Sequence, residues 1–308
     1  MTASDDSYMG FIGVTTGASS IRKVFPQWAQ LLGLPVTRLV GHDLPLDAST
    51  DQYRGLVSAI KSDPQHLGAL VTTHKIGILR AARDLFDEID ELAETFSEVS
   101  SIAKRGSRLL GAAKDPVTVR LSLEEFLPDG HFSTTGGAAL ILGSGGAGCA
   151  LSHQLAVRAD RPSQIICTDL SAASLDHLRE VHERAGTPEG LVRYHVTPSP
   201  IDTDALLTSL PAYSLVVNAT GMGKDRPGSP ISADVPFPVK GIVWEFNYRG
   251  PLDFLQHARH QQLERQLHVE DGWRYFIHGW TQVIAEVFDI DMPRRTVDQL
   301  GHVAASLR

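Results

Sequence analysis

Short apolar runs alternate with stretches of helical spacing along most of the chain. From residue 8 to about 118, strand-like runs cover Met9 to Thr15, Pro35 to Gly41 and Gly68 to Thr72. Between them, apolar residues recur at helical spacing in Ile21 to Leu32, Tyr53 to Ser62 and Ile76 to Phe86,. A further helix is expected around Val117 to Phe126, and the turn-rich segment LPDGHFSTTGG, 127–137, reads as a boundary,. From Ala138 the pattern becomes strand, turn and helix, several times over. The strand candidates are ALIL (139–142), QIICT (164–168), VRYHV (192–196), SLVVNA (214–219) and GIVWEF (241–246). Such alternation predicts an α/β fold with a doubly wound parallel sheet. The tail GWRYFIHGWTQVIAEVFDI predicts one amphipathic helix, with a second short one after Thr296.

Composition narrows the function classes. The 308 residues suffice for two domains of roughly 150 residues each,. A net charge of −8, with no dense Lys/Arg stripe, argues against nucleic acid or an anionic membrane as partner,. Two cysteines, Cys149 and Cys167, are too few for a disulfide framework,. The opening MTASDDSYMG lacks the basic and apolar regions of a signal peptide, and no apolar run reaches the ~18 residues of a membrane span,. A cytoplasmic setting is expected.

The glycine run GSGGAG follows an apolar strand and opens a helical pattern. Glycines there let the backbone approach a pyrophosphate at a helix N-terminus, where free N–H groups favour an anion. Its spacing, with Gly143, Gly145, Gly146, Ala147 and Gly148, departs from strict G-x-G-x-x-G, and a compact strand-to-helix turn is the plainer alternative,. The next strand ends in Asp169, which can accept from ribose hydroxyls and repels a 2′-phosphate,. Neither Arg nor Lys follows until Arg179, so NAD is expected rather than NADP. The other reading of Asp169 is a helix N-cap, a role Ser171 could fill instead.

GALVTTHK (68–75) and LLGAAKDP (109–116) supply Lys75 and Asp115. A lysine and an aspartate within reach of one hydroxyl suit a dehydrogenase, in which a base takes the proton while hydride leaves the same carbon. Taken alone, such a lysine is more often a solvated charge, and Asp115 a turn residue before Pro116.

With these motifs in view, nearly the whole chain resembles the shikimate dehydrogenase family. IGVTTGASSIR reproduces the spacing of that family's opening motif through Gly33-Leu34. LVTTHK is similar to its N-V-T-x-P-x-K, GAAKD to its G-x-N-T-D, and VVNATGMG (216–223) to its V-N-A-T segment. WEFNY (244–248) and DGW (271–273) match its later landmarks. The resemblance implies a substrate domain over 1–126, with helices from about 280–308 packing back on it. It implies a Rossmann domain over 127–279, and a cleft between the two. Lys75 and Asp115 would be the catalytic pair, with Ser19, Thr72, Ser100, Tyr248 and Gln282 facing substrate. Asn218, Thr220, Met222, Phe246 and Gly272 would join the glycine turn and Asp169 around the cofactor. No metal is implied. A small molecule is the expected partner, and a homodimer is left open.

Departures from the family matter too. Its second carboxylate-binding serine is Ile21, and its asparagine before V-T is Leu70 (or Ala69). Ser100 and Ala113 replace two further asparagines, and Gly279 stands in for its glutamine, with Gln282 one turn on. An unpaired buried substrate oxygen costs ~1–3 kcal/mol, so several such losses predict that shikimate is a poor substrate. Thr16, Arg22 and His74 are polar groups near the same motifs that could recognise another molecule. The expected activity is oxidation of a ring hydroxyl on a polyhydroxylated carbocycle or related hydroxy acid. The rival readings are a non-catalytic NAD-binding sensor and an enzyme of one-carbon folate chemistry.

Overall fold

The computed structural model describes residues 6–224 and 226–307; part of the acidic N-terminal stretch discussed above lies outside them. The chain forms two compact units, residues 1–115 with 277–308 and residues 116–276.

The first unit is built on a six-stranded sheet. Its strands are β1 (Tyr8–Gly13), β2 (Leu39–Asp43), β3 (His66–Val71), β4 (Glu88–Ile89), β5 (Ser101–Arg105) and β6 (Arg108–Ala112), ordered β2-β1-β3-β5-β6-β4. β1 runs parallel to β2 and β3, whereas β5 is antiparallel to both β3 and β6. The β5–β6 hairpin turns at Gly106, whose φ of 66° suits glycine,. β2 begins later than the run from Pro35 predicts, because its register with β1 starts at Met9 opposite Leu39.

Helices α1 (Ile21–Leu32), α2 (Thr50–Ser62), α3 (Lys75–Ala82) and α4 (Glu91–Phe96) belong to this unit. In α1, Ile21, Val24, Phe25, Trp28 and Ala29 are buried, the spacing of a single apolar face,. Gly33 (φ 63°) ends it by donating to Ala29 and Gln30 carbonyls,. α3 is shorter than Ile76 to Phe86, because the backbone tightens to a 3₁₀ turn at Arg83–Leu85. Ile12, Val57, Val71, Ile78 and Ile102 share one core.

The second unit also has a six-stranded sheet. Its strands are β7 (Ala139–Leu142), β8 (Ile165–Asp169), β9 (Val192–Val196), β10 (Leu215–Asn218), β11 (Ile242–Glu245) and β12 (His268–Glu270), all paired in parallel and ordered β12-β11-β10-β7-β8-β9. That is the dinucleotide-binding strand order, which reverses between β7 and β10. Every residue of β7, β10 and β11 is buried, as expected of parallel strands covered on both faces,.

Around it lie α5 (Asp115–Phe126), α6 (His131–Thr135), α7 (Gly146–Val157), α8 (Ala172–Arg184), α9 (Pro200–Thr208) and α10 (Asp253–Arg265). The expected division after residue 126 therefore falls later than the one the fold adopts. Phe126 packs against Trp244 with ring centroids 4.9 Å apart, and Glu125 pairs with Arg274, so α5 counts with the second unit.

α11 (Trp273–Phe288) and α12 (Arg294–Ala305) end the chain. The portion from Ile277 counts with the first unit, where Trp28 Nε1 donates to Leu300 O at 2.9 Å. No helix among the described residues is long and apolar enough to cross a membrane.

Candidate active site

In the first unit, strands β3 and β6 bring Lys75 and Asp115 together. Each charge sits at the start of a helix: Lys75 is the first residue of α3, and Asp115 the first of α5. Lys75 Nζ donates to Asp115 Oδ2, with Asp115 buried and Lys75 half-buried. A third charged group joins them. Glu98 is 1% exposed, and burial pushes its carboxyl up to about 8; Asp115 adds to the rise and Lys75 opposes it. Burial alone would lower the Lys75 ammonium, but Asp115 and Glu98 together hold it above its ordinary value.

Sequence reasoning missed Glu98. Its neighbours in FSEVSS are mostly polar, so nothing in the pattern marks it as buried.

The residues expected to face substrate divide by what already engages them. Thr72 Oγ1 donates to Ile12 O at 3.0 Å, leaving its lone pairs open. Ser100 is buried, and its Oγ accepts from the Lys114 N–H at 2.6 Å. Ser19 is buried, and Gln282 on α11 is half-buried. Ile21 and Leu70, where the family has polar side chains, are buried apolar residues.

Two of the three additional polar groups are committed to the fold rather than to a ligand. His74 Nε2 lies 3.1 Å from Leu44 O, which can only accept, so the proton sits on Nε2 and Nδ1 accepts from Tyr53 Oη at 2.9 Å,. Thr16 is buried, with its N–H and hydroxyl on Asp43 at 2.9 and 2.5 Å. Arg22 is exposed.

In the second unit, the glycine run turns from β7 into α7. Gly143 has φ 97°, a backbone that side chains rarely adopt,. A Cβ at Gly148 would lie 2.0 Å from Gly143 O, so only glycine lets helix and strand close here. Gly145 is the N-cap and no side chain caps the helix, which leaves first-turn N–H groups of Gly146 and Ala147 for an anion,. Nothing lies within 4 Å of a Cβ built on Gly145. These features fit a dinucleotide pyrophosphate.

Asp169 ends β8 and braces this turn: its Oδ2 accepts from the Ser144 N–H and hydroxyl, each at 2.9 Å. Its Oδ1 accepts from the Ser171 N–H at 3.0 Å, and Ser171, not Asp169, caps α8. Arg179, the first arginine or lysine after it, is held by Asp176 at 2.6 Å and lies over the Tyr194 ring.

Across the switch point, the V-N-A-T segment is tied down by a buried carboxyl that the sequence did not suggest. Glu245 accepts from Asn218 Nδ2 and from the Asn247 N–H and side chain, each at 2.7 Å. Burial pushes this carboxyl up to about 7, against those hydrogen bonds. Asn218 also accepts from the Thr220 N–H and hydroxyl, and Thr220 Oγ1 accepts from the Met222 N–H. Asn218 therefore shapes the loop from beneath, while Thr220 and Met222 are half-buried. Phe246 is buried and stacks on Tyr275, and Tyr248 packs on Trp273 and Phe276. Gly272 fits where a Cβ would come 2.1 Å from Phe246 O. Among the described residues no cluster of His, Cys, Asp or Glu could hold a metal ion.

No family model matches the chain. It is 34% identical over 199 residues to the shikimate dehydrogenase (NADP(+)) of Salinibacter ruber, a match covering 60% of this chain and 61% of that one. It is 30% identical over 182 residues to the enzyme of the same name from Streptococcus gordonii, covering 58% of this chain and 59% of that one. The chain thus spans about three fifths of the length of these relatives.

Among solved structures, the quinate dehydrogenase from Corynebacterium glutamicum in complex with NAD superposes with a TM-score of 0.73 at 19% identity, over 98% of this chain and 100% of that one. The shikimate 5-dehydrogenase from Thermus thermophilus, in complex with NADP(H) and shikimate, gives 0.69 at 20% identity, over 97% and 99%. Sequence likeness to the one group and shared fold with the other agree: over part of its length the chain is similar to shikimate dehydrogenases, and it has the fold of the shikimate and quinate dehydrogenases.

Proposed function

We propose that the chain is an NAD-linked dehydrogenase that oxidises a ring hydroxyl of a polyhydroxylated carbocycle or related hydroxy acid. The observation that carries this reading is the Lys75–Asp115 pair, a base and an acid joined in a half-buried setting. Bound NAD would supply the hydride acceptor. Lys75, once neutral, takes the hydroxyl proton on Nζ, and Asp115 orients that hydroxyl while keeping the lysine in place. In the reverse direction the Lys75 ammonium returns the proton to a carbonyl oxygen. Thr72, with free lone pairs, can accept from a neighbouring substrate hydroxyl.

Two features favour NAD over NADP, although the curated relatives are named as NADP(+) enzymes. Asp169 places a carboxylate where a 2′-phosphate would need a cation, and Arg179 is engaged elsewhere,. Shikimate is a poor fit because Ile21 and Leu70 offer its polar groups no hydrogen bond,.

Isothermal titration with both cofactors, then steady-state assays with shikimate, quinate and a panel of cyclitols, test the reading. NAD should bind more tightly than NADP, and kcat/KM for shikimate should fall below ~10⁴ M⁻¹s⁻¹, the low end of ordinary enzymes. Equal or tighter NADP binding would overturn the cofactor assignment.

A further inference from the structure

Glu98 follows Ser97, a non-glycine residue in the left-handed region (φ 52°) at the end of α4. The N–H groups of Ser97 and Glu98 both bond Ala93 O, a helix-closing turn that directs the Glu98 side chain inward,. There it is 1% exposed, and Oε1 has no hydrogen-bond partner among the described residues. The next residue, Val99, donates its N–H to the Lys75 carbonyl at 3.3 Å, which fixes the turn against the start of α3.

The charges that bear on Glu98 are Lys75 from α3 and Asp115 from α5. Neighbouring charged groups are engaged elsewhere: Asp90 by the N–H groups of Ala93 and Ala113, Glu94 by Arg83, Lys114 by Glu286. His74 has both ring nitrogens occupied. A buried carboxyl with an oxygen left over is a poor packing group, since an apolar side chain of similar volume would cost less to bury. Glu98 lies one residue from the Val99 N–H that bonds the Lys75 carbonyl, and this anchoring of a buried, incompletely bonded carboxyl to the start of α3 points to a role through the ion pair.

We propose that Glu98 is a positioning residue of the Lys75–Asp115 pair: by gaining and losing its own proton, it sets how tightly Lys75 holds one. The proposal rests on reading Lys75 as the proton-transfer group. While Glu98 is protonated, the Lys75 ammonium faces one carboxylate, Asp115. Once Glu98 ionises, the ammonium faces two, and its proton becomes harder to remove. Glu98 thereby limits the pH range over which Lys75 can act as a base.

Carbon-13 NMR on the intact chain tests this without a substrate, using glutamate labelled at the carboxyl and lysine labelled at Cε. Glu98→Gln identifies the Glu98 signal by its loss, and Lys75→Met does the same for Lys75. The Glu98 carboxyl should titrate well above the exposed glutamates, at lower pH in Asp115→Asn and at higher pH in Lys75→Met. The Lys75 signal should titrate lower in Glu98→Gln than in wild type, by about one pH unit or more, as for loss of an adjacent charge.

A merely structural Glu98 would alter the melting temperature and leave the Lys75 titration in place. That result, or a Glu98 carboxyl that ionises with the exposed glutamates, overturns the proposal. If NAD binds but no polyol is oxidised, the proposed function fails, and the titrations still decide the role of Glu98.

Discussion

At the residue scale, Lys75 and Asp169 face different tests. The Lys75 ammonium contacts Asp115 and feels Glu98, all within the first unit, whereas the pyrophosphate turn belongs to the second. Lys75→Ala should therefore lower kcat by 10²–10⁴-fold, roughly what general acid–base catalysis contributes, with NADH affinity by fluorescence little changed. A solvated surface lysine would show no rate effect. Asp169 holds Ser144, and under the proposed function it would also repel a 2′-phosphate,. Asp169→Ala should weaken NAD binding and narrow its margin over NADP in isothermal titration. An equal loss for both cofactors would mean that Asp169 only braces the turn.

At the element scale, the β7–α7 turn separates packing from binding. Gly148→Ala drives a Cβ to 2.0 Å from Gly143 O and should destabilise the chain by at least ~1–3 kcal/mol in thermal unfolding,. A Cβ at Gly145 meets nothing within 4 Å, so Gly145→Ala should cost only the ~0.5–1 kcal/mol of a poorer N-cap but weaken NADH binding, because the new carbon would stand where a pyrophosphate is proposed to approach,.

This turn was legible in the sequence: ALIL is β7 residue for residue, and the glycines follow it directly. Lys75 and Asp115, which meet in the structure, were singled out through motifs that resemble those of a known family; taken alone, each would read as a surface charge or a turn residue. The β5–β6 hairpin was not legible, because its strands are short and Lys104, Arg105 and Arg108 interrupt their apolar residues around the turn. Glu98 and Glu245 were hidden for a related reason. A glutamate is ordinarily exposed, and only tertiary packing reveals one that is enclosed.

At the scale of the whole molecule, buried groups of opposite type set the pH range of stability. Burial lowers His66 from 6.5 to about 3 and His182 to about 4, and it also lowers His42 and His153. Above pH 6.5 these rings are neutral in both states; below it the unfolded chain takes up protons that the folded chain refuses. Stability then falls by up to about 1.4 kcal/mol per pH unit for each such ring.

Glu98 and Glu245 act in the opposite sense, since their folded values lie near 8 and 7, above the ordinary 4.5. Their contribution is complete below 4.5 and is lost as pH rises through those values. Melting temperature should accordingly peak near pH 6.5, where the histidines are neutral, and decline toward 8. Glu98→Gln should flatten the alkaline decline. A melting temperature that climbs steadily from 6.5 to 8 in the wild type would contradict this balance.

The central claim is that one chain uses NAD to oxidise a ring hydroxyl through Lys75. It is tested most directly by NADH formation from a panel of cyclitols and ring hydroxy acids, with the wild type and Lys75→Met side by side. The methionine keeps the apolar stem and removes the charge. The account predicts turnover of at least one carbocycle by the wild type, with kcat lower by ~10²–10⁴-fold in Lys75→Met. Near-wild-type turnover by Lys75→Met would contradict it.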